Sequence, residues 1–337
     1  MTSAQSILAT GFIADAPDQG TVFPSAGGNS ADPRVQAVYW RCLTVLYASA
    51  RITNPDQRLV LFSNVVLPVV DGHDLAKVLA RYGVEHRLLP LTTRLARELT
   101  PAWGNVLYFF DVLESLADEP TDTRIALIDS DVVVTGPVAP LFGLLDHADY
   151  ALYAIDTTPD HSVNGLTRRA MGEIVAAIRG AGDGAPVPHY GGEMFATALA
   201  TWRRDKPMFR ALLESAGSGE GPAADVRTEE HIYSIAAAVL QAPVAEAGAF
   251  IKRIWTSRHY SSVQPGDEAY PLWHLPSEKR YGFRDLFDDL ARRGFPTTMA
   301  PAEFRRLAQA RCGIPAKSWA KQTRDGWRQL AARLVRP

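Results

Sequence analysis

An apolar run, Ile125-Ala-Leu-Ile, ends in Asp129-Ser130-Asp131 and continues into Val132-Val-Val-Thr-Gly-Pro. Successive strand side chains point to opposite faces, so two carboxylates one residue apart share a side and can converge on one cation. At the end of a buried strand such a pair repels itself and loses hydration unless a cation or strong donors compensate it. The other reading of the same residues is a solvated turn with helix-capping aspartates. Two further carboxylate groups stand out. In Asp225-Val-Arg-Thr-Glu-Glu-His, Thr228 is expected to cap a helix with Glu229 and Glu230 in its first turn. The helix dipole favours acids there whatever they do, so they read either as structural or as catalytic groups. In His189-Tyr-Gly-Gly-Glu-Met-Phe, paired glycines would let a ligand approach the backbone, and Glu193 follows them. Glu193 reads either as a binding group or base, or as an exposed residue on a bulge.

These residues need elements to hold them. Ser6 to Thr10 reads as a strand, followed by a loop rich in Gly, Pro, Ser and Asp from about Asp15 to Pro33. Apolar residues recur with helical spacing from Arg34 to Ile52, and Arg58 to Ser63 is strand-like. The alternation continues with a helix at Asp74 to Tyr82, a strand at Glu85 to Leu89, a helix at Trp103 to Leu116 and a strand at Arg124 to Ile128. Strands interleaved with helices predict an α/β, doubly wound and mostly parallel sheet whose ligands sit at the carboxyl ends of its strands. Ile125 to Ile128, apolar on both faces, is the expected central strand. Beyond it come a strand at Tyr150 to Ile155, a helix at about Thr167 to Arg179 and a strand containing Glu193. Helices are expected at Thr228 to Leu240, Phe283 to Arg293, Pro301 to Arg311 and Pro315 to Leu334. The boundaries drawn are a main domain over about 1–282, parted near 135 into two halves, and a helical C-terminal appendage over about 283–337.

Composition narrows the partners. With 337 residues, 47% hydrophobic and 21% charged, the chain is expected to bury a large core. The net charge of -2 provides no global field for nucleic acid or an anionic membrane, so an anionic ligand must be caught locally. Cys42 and Cys312 have no neighbour at metal or redox spacing and read as buried thiols of a reducing compartment. No window reaches the roughly 18 apolar residues of a membrane span, and a soluble, cytoplasmic location is expected.

The strand ending in Asp-Ser-Asp, the preceding Trp103 to Leu116 and the following Pro137 to Phe142 resemble the GT-A glycosyltransferases, especially glycosyltransferase family 8, with further points at Ala9-Thr10-Gly11 and His274. The resemblance implies the GT-A fold, a mostly parallel Rossmann-like mixed sheet, and transfer of a sugar from a nucleotide-diphosphate sugar, UDP-sugar favoured, to an acceptor hydroxyl. It implies Mn2+ or Mg2+ held by Asp129, Asp131 and His274. His274 lies in Pro271-Leu-Trp-His-Leu-Pro-Ser-Glu-Lys-Arg-Tyr, similar to the family's His-x-x-Gly-x-x-Lys segment, with Ser277 for the glycine and Lys279 one residue early. Lys279 or Arg280 would neutralise the leaving diphosphate. By the same likeness Ala9, Thr10, Gly11, Asn105 and Ser130 would contact base, ribose or metal shell. Gly11 stands where the family has Asp, which leaves the base open. Glu193, Glu229 and Glu230 become the candidate catalytic carboxylates, as base, nucleophile or sugar-binding groups.

Two rivals remain. A phosphohydrolase of the haloacid-dehalogenase type also places Asp-x-Asp after an apolar strand, but normally at the start of its domain, and Asp288-Asp289 reads as helix surface. A catalytically silent sugar-nucleotide-binding protein is the other. The tail from Pro315 carries Lys317, Lys321, Arg324, Arg328, Arg333 and Arg336 among Trp319, Trp327, Leu330 and Leu334. It reads either as a terminal helix packing its apolar face on the domain or as a peripheral contact with the inner membrane face and a lipid-linked acceptor.

Overall fold

The computed structural model describes residues 5–23, 26–95, 102, 104–257 and 260–334, with side chains to 327. The first half runs β1 (Ser6–Phe12), a short hairpin of β2 (Val22–Phe23) and β3 (Gly28–Asn29), α1 (Pro33–Thr53), β4 (Arg58–Ser63), a second hairpin of β5 (Val69–Val70) and β6 (His73–Asp74), α2 (Leu75–Arg81), β7 (Val84–Leu88), α3 (Tyr108–Ser115) and β8 (Arg124–Ile128). The second half runs β9 (Val132–Val134), α4 (Ala139–Gly143), β10 (Tyr150–Ala154), α5 (Arg168–Arg179), β11 (Tyr190–Ala198), α6 (Leu199–Ser218), α7 (Glu229–Leu240), β12 (Val244–Glu246), β13 (Ile251–Arg253), β14 (Leu272–His274), α8 (Gly282–Arg292), α9 (Pro301–Cys312) and α10 (Trp319–Leu334). Trp103, the expected start of the third helix, lies outside the described residues.

Seven strands form one mixed α/β sheet in the order β12-β10-β11-β8-β1-β4-β7. β8, β1, β4 and β7 are mutually parallel, as the strand–helix alternation predicts, and β11 enters antiparallel to both β8 and β10. The period-two pattern of β1, β4 and β8 divides two cores. Leu8, Leu59, Leu61, Ala126 and Ile128 face the core built with α1, α8 and α9. Ile7, Ala9, Val60, Phe62, Ile125 and Leu127 face the core built with α3, α5, α6 and α7. Each fully buried Leu, Ile or Phe contributes roughly 1.5–3 kcal/mol, so the central strands are held from both sides.

α1 starts cleanly, with Pro33 at its first turn and Asp32 accepting from the Arg34 amide at 2.8 Å. It is buried over most of its surface because the sheet covers one side and α8 and α9 the other. The helices drawn in the appendage by sequence pattern thus share this core. α6 has no counterpart in the sequence expectations. Its Pro207 reads as a helix breaker, yet Trp202, Asp205, Phe209, Leu212 and Ala216 are buried at helical spacing, and tertiary packing outweighs the lost backbone bond.

The tail is also corrected. α10 turns Trp319 and Trp327 outward, 83% and 69% exposed, and buries Lys321 instead. Lys321 Nζ pairs with Glu278 at 2.7 Å and Asp325 at 3.1 Å, while Lys317 reaches Glu278 at 3.3 Å. Among the described side chains ionic contacts fasten this helix; those of Leu330 and Leu334, the rest of the expected apolar face, lie outside the described residues. Among the described residues no helix is long and apolar enough to cross a membrane.

Candidate active site

A second, three-stranded sheet, β13-β14-β9, meets the end of the large one. The chain leaves β8 at Ile128 and enters β9 at Val132, so Asp129-Ser130-Asp131 is the crossing between the two sheets. Both flanks are pinned. The Asp129 amide donates to the Glu193 carbonyl at 3.0 Å, and the Leu275 amide donates to the Asp131 carbonyl at 3.0 Å. Antiparallel pairing puts His274 opposite Val132, and parallel pairing puts Arg253 opposite His274. Register alone therefore assembles Asp129, Asp131, Glu193, Arg253 and His274.

His274 Nε2 lies 3.3 Å from Asp129 Oδ2 and 3.2 Å from Asp131 Oδ2, and Nδ1 lies 3.5 Å from Glu193 Oε1. The Lys279 ammonium pairs with Asp131 and stands 5.6 Å from the centre of the Tyr39 ring. Arg253 pairs through Nε with the fully buried Glu193. Burial works against every one of these charges, and their mutual attraction outweighs it for most. The Asp131 carboxyl, which burial would raise, is held well below the usual range by Lys279 and His274. The Glu193 carboxyl, despite burial, is brought to about 2 by Arg253 and His274. The His274 imidazole, despite burial, is raised to about 9, chiefly by Asp131. Asp129 differs: enclosure lifts its carboxyl to about 6, with His274 opposing and Asp131 adding to the rise.

Next to this cluster lies a cavity of about 350 Å³. Gly11, Phe12, Tyr39, Tyr108 and Phe109 give it an apolar wall, and the cluster with Ser130, Glu229 and Glu230 gives it a charged one. Gly11 is required here by close approach. A Cβ at that position would come 2.7 Å from Tyr108 Cδ1, so the ring that packs on the strand end excludes any side chain, including a carboxylate. At Gly192 the Glu229 carboxyl takes the space next to the backbone, so a side chain there would displace Glu229 from its place in the cavity. Burial, followed by Glu230 and Asp129, raises the Glu229 carboxyl well above its ordinary value.

The candidate residues fare differently. Asp129, Ser130, Asp131, His274, Lys279, Gly11, Asn105, Glu193, Glu229 and Glu230 all reach this cavity. Ala9 and Thr10 do not: they lie on opposite faces of β1 before its end and are buried at 1% and 0% exposure. Glu193 does lie where the β10–β11 register shifts, between Tyr190 and Phe195, but it is buried and not exposed. Its charge is buried and clamped, so it orients His274 and Arg253. Thr228 sits at the cap position of α7 without a capping bond to the backbone; its hydroxyl lies 3.4 Å from Glu230 instead. Asp289 is likewise no surface residue, being buried and paired with Arg311 at 2.6 Å. Sequence reasoning missed Arg253 and Trp255, which line the cavity. No local pattern in Ile251-Lys-Arg-Ile marks Arg253, whose place follows from its pairing opposite His274.

Two carboxylate oxygens and one imidazole nitrogen within 4.8 Å of one another form a donor set suited to Mn2+ or, less well, Mg2+. The charged imidazole and the Lys279 ammonium provide, in this structure, the positive charge that the pair of aspartates demands.

No family model and no curated protein matches the sequence. Among solved structures the chain is similar to mouse xyloside xylosyltransferase 1 in its apo form, at 11% identity over 80% of this chain and 97% of that one, with a TM-score of 0.47. It is similar to the galactosyltransferase LgtC in complex with donor and acceptor sugar analogs, at 14% identity over 89% and 99%, with a TM-score of 0.44. The glycosyltransferase GlyE of Streptococcus pneumoniae TIGR4, apo form, matches at 12% identity over 73% of this chain and 46% of that one, with a TM-score of 0.39. The chain is similar to these glycosyltransferases in fold.

Proposed function

We propose that this protein is a GT-A-type glycosyltransferase that moves a sugar from a nucleotide-diphosphate sugar, UDP-sugar favoured, to an acceptor hydroxyl. The observation that carries the reading is the convergence of Asp129, Asp131 and His274, from two different sheets, on the wall of a cavity whose opposite wall is aromatic. A nucleotide diphosphate has the matching polarity: a flat base for Phe12, Tyr39 and Phe109, and two phosphates for the charged side. Asp129, Asp131 and His274 would hold Mn2+ or Mg2+. Such an ion, when bound, supplies positive charge to the diphosphate as it departs.

The chain's own groups do the rest. Lys279, buried beside Asp131, offers a fixed ammonium to the leaving phosphates. Glu193, locked by Arg253, keeps the His274 ring in place from its Nδ1 side. Glu229, whose carboxyl is pushed toward its neutral form by burial and by Glu230, would offer a hydrogen bond to a sugar or acceptor hydroxyl in the cavity. A lipid-linked acceptor at the inner membrane face would meet the outward Trp319 and Trp327 of α10.

The test is thermal melting with UDP and other nucleoside diphosphates, with and without Mn2+, followed by hydrolysis of the matching sugar donor. A manganese-dependent rise in Tm and donor turnover are expected in the native protein. Both should vanish in Asp131→Ala while far-ultraviolet circular dichroism is retained. A metal-coupled rise in Tm without turnover would leave a sugar-nucleotide-binding protein, and full turnover by Asp131→Ala in chelator would sink the proposal.

A further inference from the structure

A second constellation shares Glu230 with the charged wall of the cavity, and none of its members has a role in the proposed reaction. His189, Glu230 and His231 bring one ligand atom each within 4.8 Å of one another. All three are buried, at 1%, 4% and 0% exposure. Two of them already carry the outer hydrogen bonds that fix a metal ligand's direction. His231 Nε2 lies 3.0 Å from the Val163 carbonyl, which leaves Nδ1 as the ligand atom, reached here only by a long 3.4 Å bond from the Arg227 amide that an ion would displace; Glu230 Oε1 accepts from Asn164 Nδ2 at 2.5 Å. The third is different. Neither ring nitrogen of His189 has a hydrogen-bond partner among the described residues, although Nε2 lies 3.7 Å from Glu230 Oε2.

That orphaned ring is not the product of a loose backbone. The His189 carbonyl accepts from the Ile155 amide at 2.8 Å, and the next amide, Tyr190, donates to Ser234 Oγ at 2.9 Å. The segment carrying Asn164 is closed by paired Val163 and Leu166 backbone bonds. An imidazole held rigidly in the interior with both nitrogens unsatisfied carries a desolvation penalty that a bound partner would remove.

We infer that His189, Glu230 and His231 form a second metal site, distinct from the Asp129–Asp131–His274 cluster, that takes a zinc-class ion. Two imidazoles and one carboxylate are a nitrogen-rich donor set that suits zinc or cobalt better than magnesium or calcium. The ion would tie the start of α7 to β11 and to the 163–166 turn, and so set where Glu229 enters the cavity. It would also remove Glu230 from the groups free to act on a substrate.

The experiment uses the full chain with Asp129→Asn and Asp131→Asn, which disables the first cluster, titrated with Co2+ and then Zn2+. Visible absorption bands of four- or five-coordinate cobalt, saturating at one equivalent and displaced by zinc, are expected. Adding His189→Gln or Glu230→Gln should abolish them. Zinc-edge X-ray absorption on the Asp129→Asn, Asp131→Asn protein should show two imidazole ligands, a readout that needs no further variant to fold. Absence of the cobalt bands in that protein, their survival in both added variants, or a zinc shell without imidazole would each overturn the assignment. None of these outcomes touches the proposed sugar transfer, because the first cluster is silent throughout.

Discussion

Glu193 has no exposed surface, and Arg253 is the guanidinium paired with it. Breaking a buried ion pair costs roughly 3–5 kcal/mol, and here His274, 3.5 Å from Glu193, remains as a second cation, so the lower end of that range applies. Arg253→Ala is therefore expected to lower stability by about that amount in urea unfolding, and adding Glu193→Gln should recover most of it. Equal loss in the single and double variants would mean the pair does not behave as a unit. At this same scale the sequence showed only part of the site. Asp129 and Asp131 were legible because an apolar strand ending in two alternate carboxylates is a local pattern. Arg253 was not, because its role depends on standing opposite His274, a pairing between short strands that no local spacing encodes.

Elements explain the remaining successes and misses. The alternation of β1, β4, β8 with α1 and α2 was readable since each strand is apolar on both faces and each helix has its own period. α6 was not anticipated, its helical spacing being interrupted by Pro207, and in α10 the described side chains that are buried, Lys321 and Asp325, are ionic. Burial of Lys321 against Glu278 has a functional reach, for Glu278 precedes Lys279 in the chain and also accepts from the Gly282 amide at 2.9 Å. Lys321→Ala should loosen α10 and cost on the order of 2 kcal/mol. Limited proteolysis should then trim the C-terminus faster than in the native protein, and activity should fall with it. A variant that resists protease as the parent does would show that α10 is held by other contacts.

Across the whole molecule, one ionic knot gives a pH signature far from the cavity. Glu119 accepts from Arg58 at 2.8 Å and from Arg87 at 2.8 Å, joining β4 and β7 to the loop before β8. The Arg58 hydrogen bonds, against some burial and with help from Arg87, bring its carboxyl to about 2 from an ordinary 4.5. A folded-state value below the unfolded one means the stabilisation is complete above about 4.5 and is lost as pH falls toward about 2. Glu119→Gln should be less stable than the parent by roughly 2–3 kcal/mol at neutral pH, with the gap closing through that acid window in chemical denaturation. The proposed cation's ligands straddle a boundary, Asp129 at the rim of the seven-stranded sheet and His274 on the three-stranded one. Occupancy would rivet two slabs that otherwise meet along a seam. Amide deuterium uptake in β9, β13 and β14 should slow on adding Mn2+ with a nucleoside diphosphate, and stay unchanged in Asp131→Ala. Substrate loading would then be felt as stiffness across the molecule's midline, and the smaller slab would breathe only between turnovers.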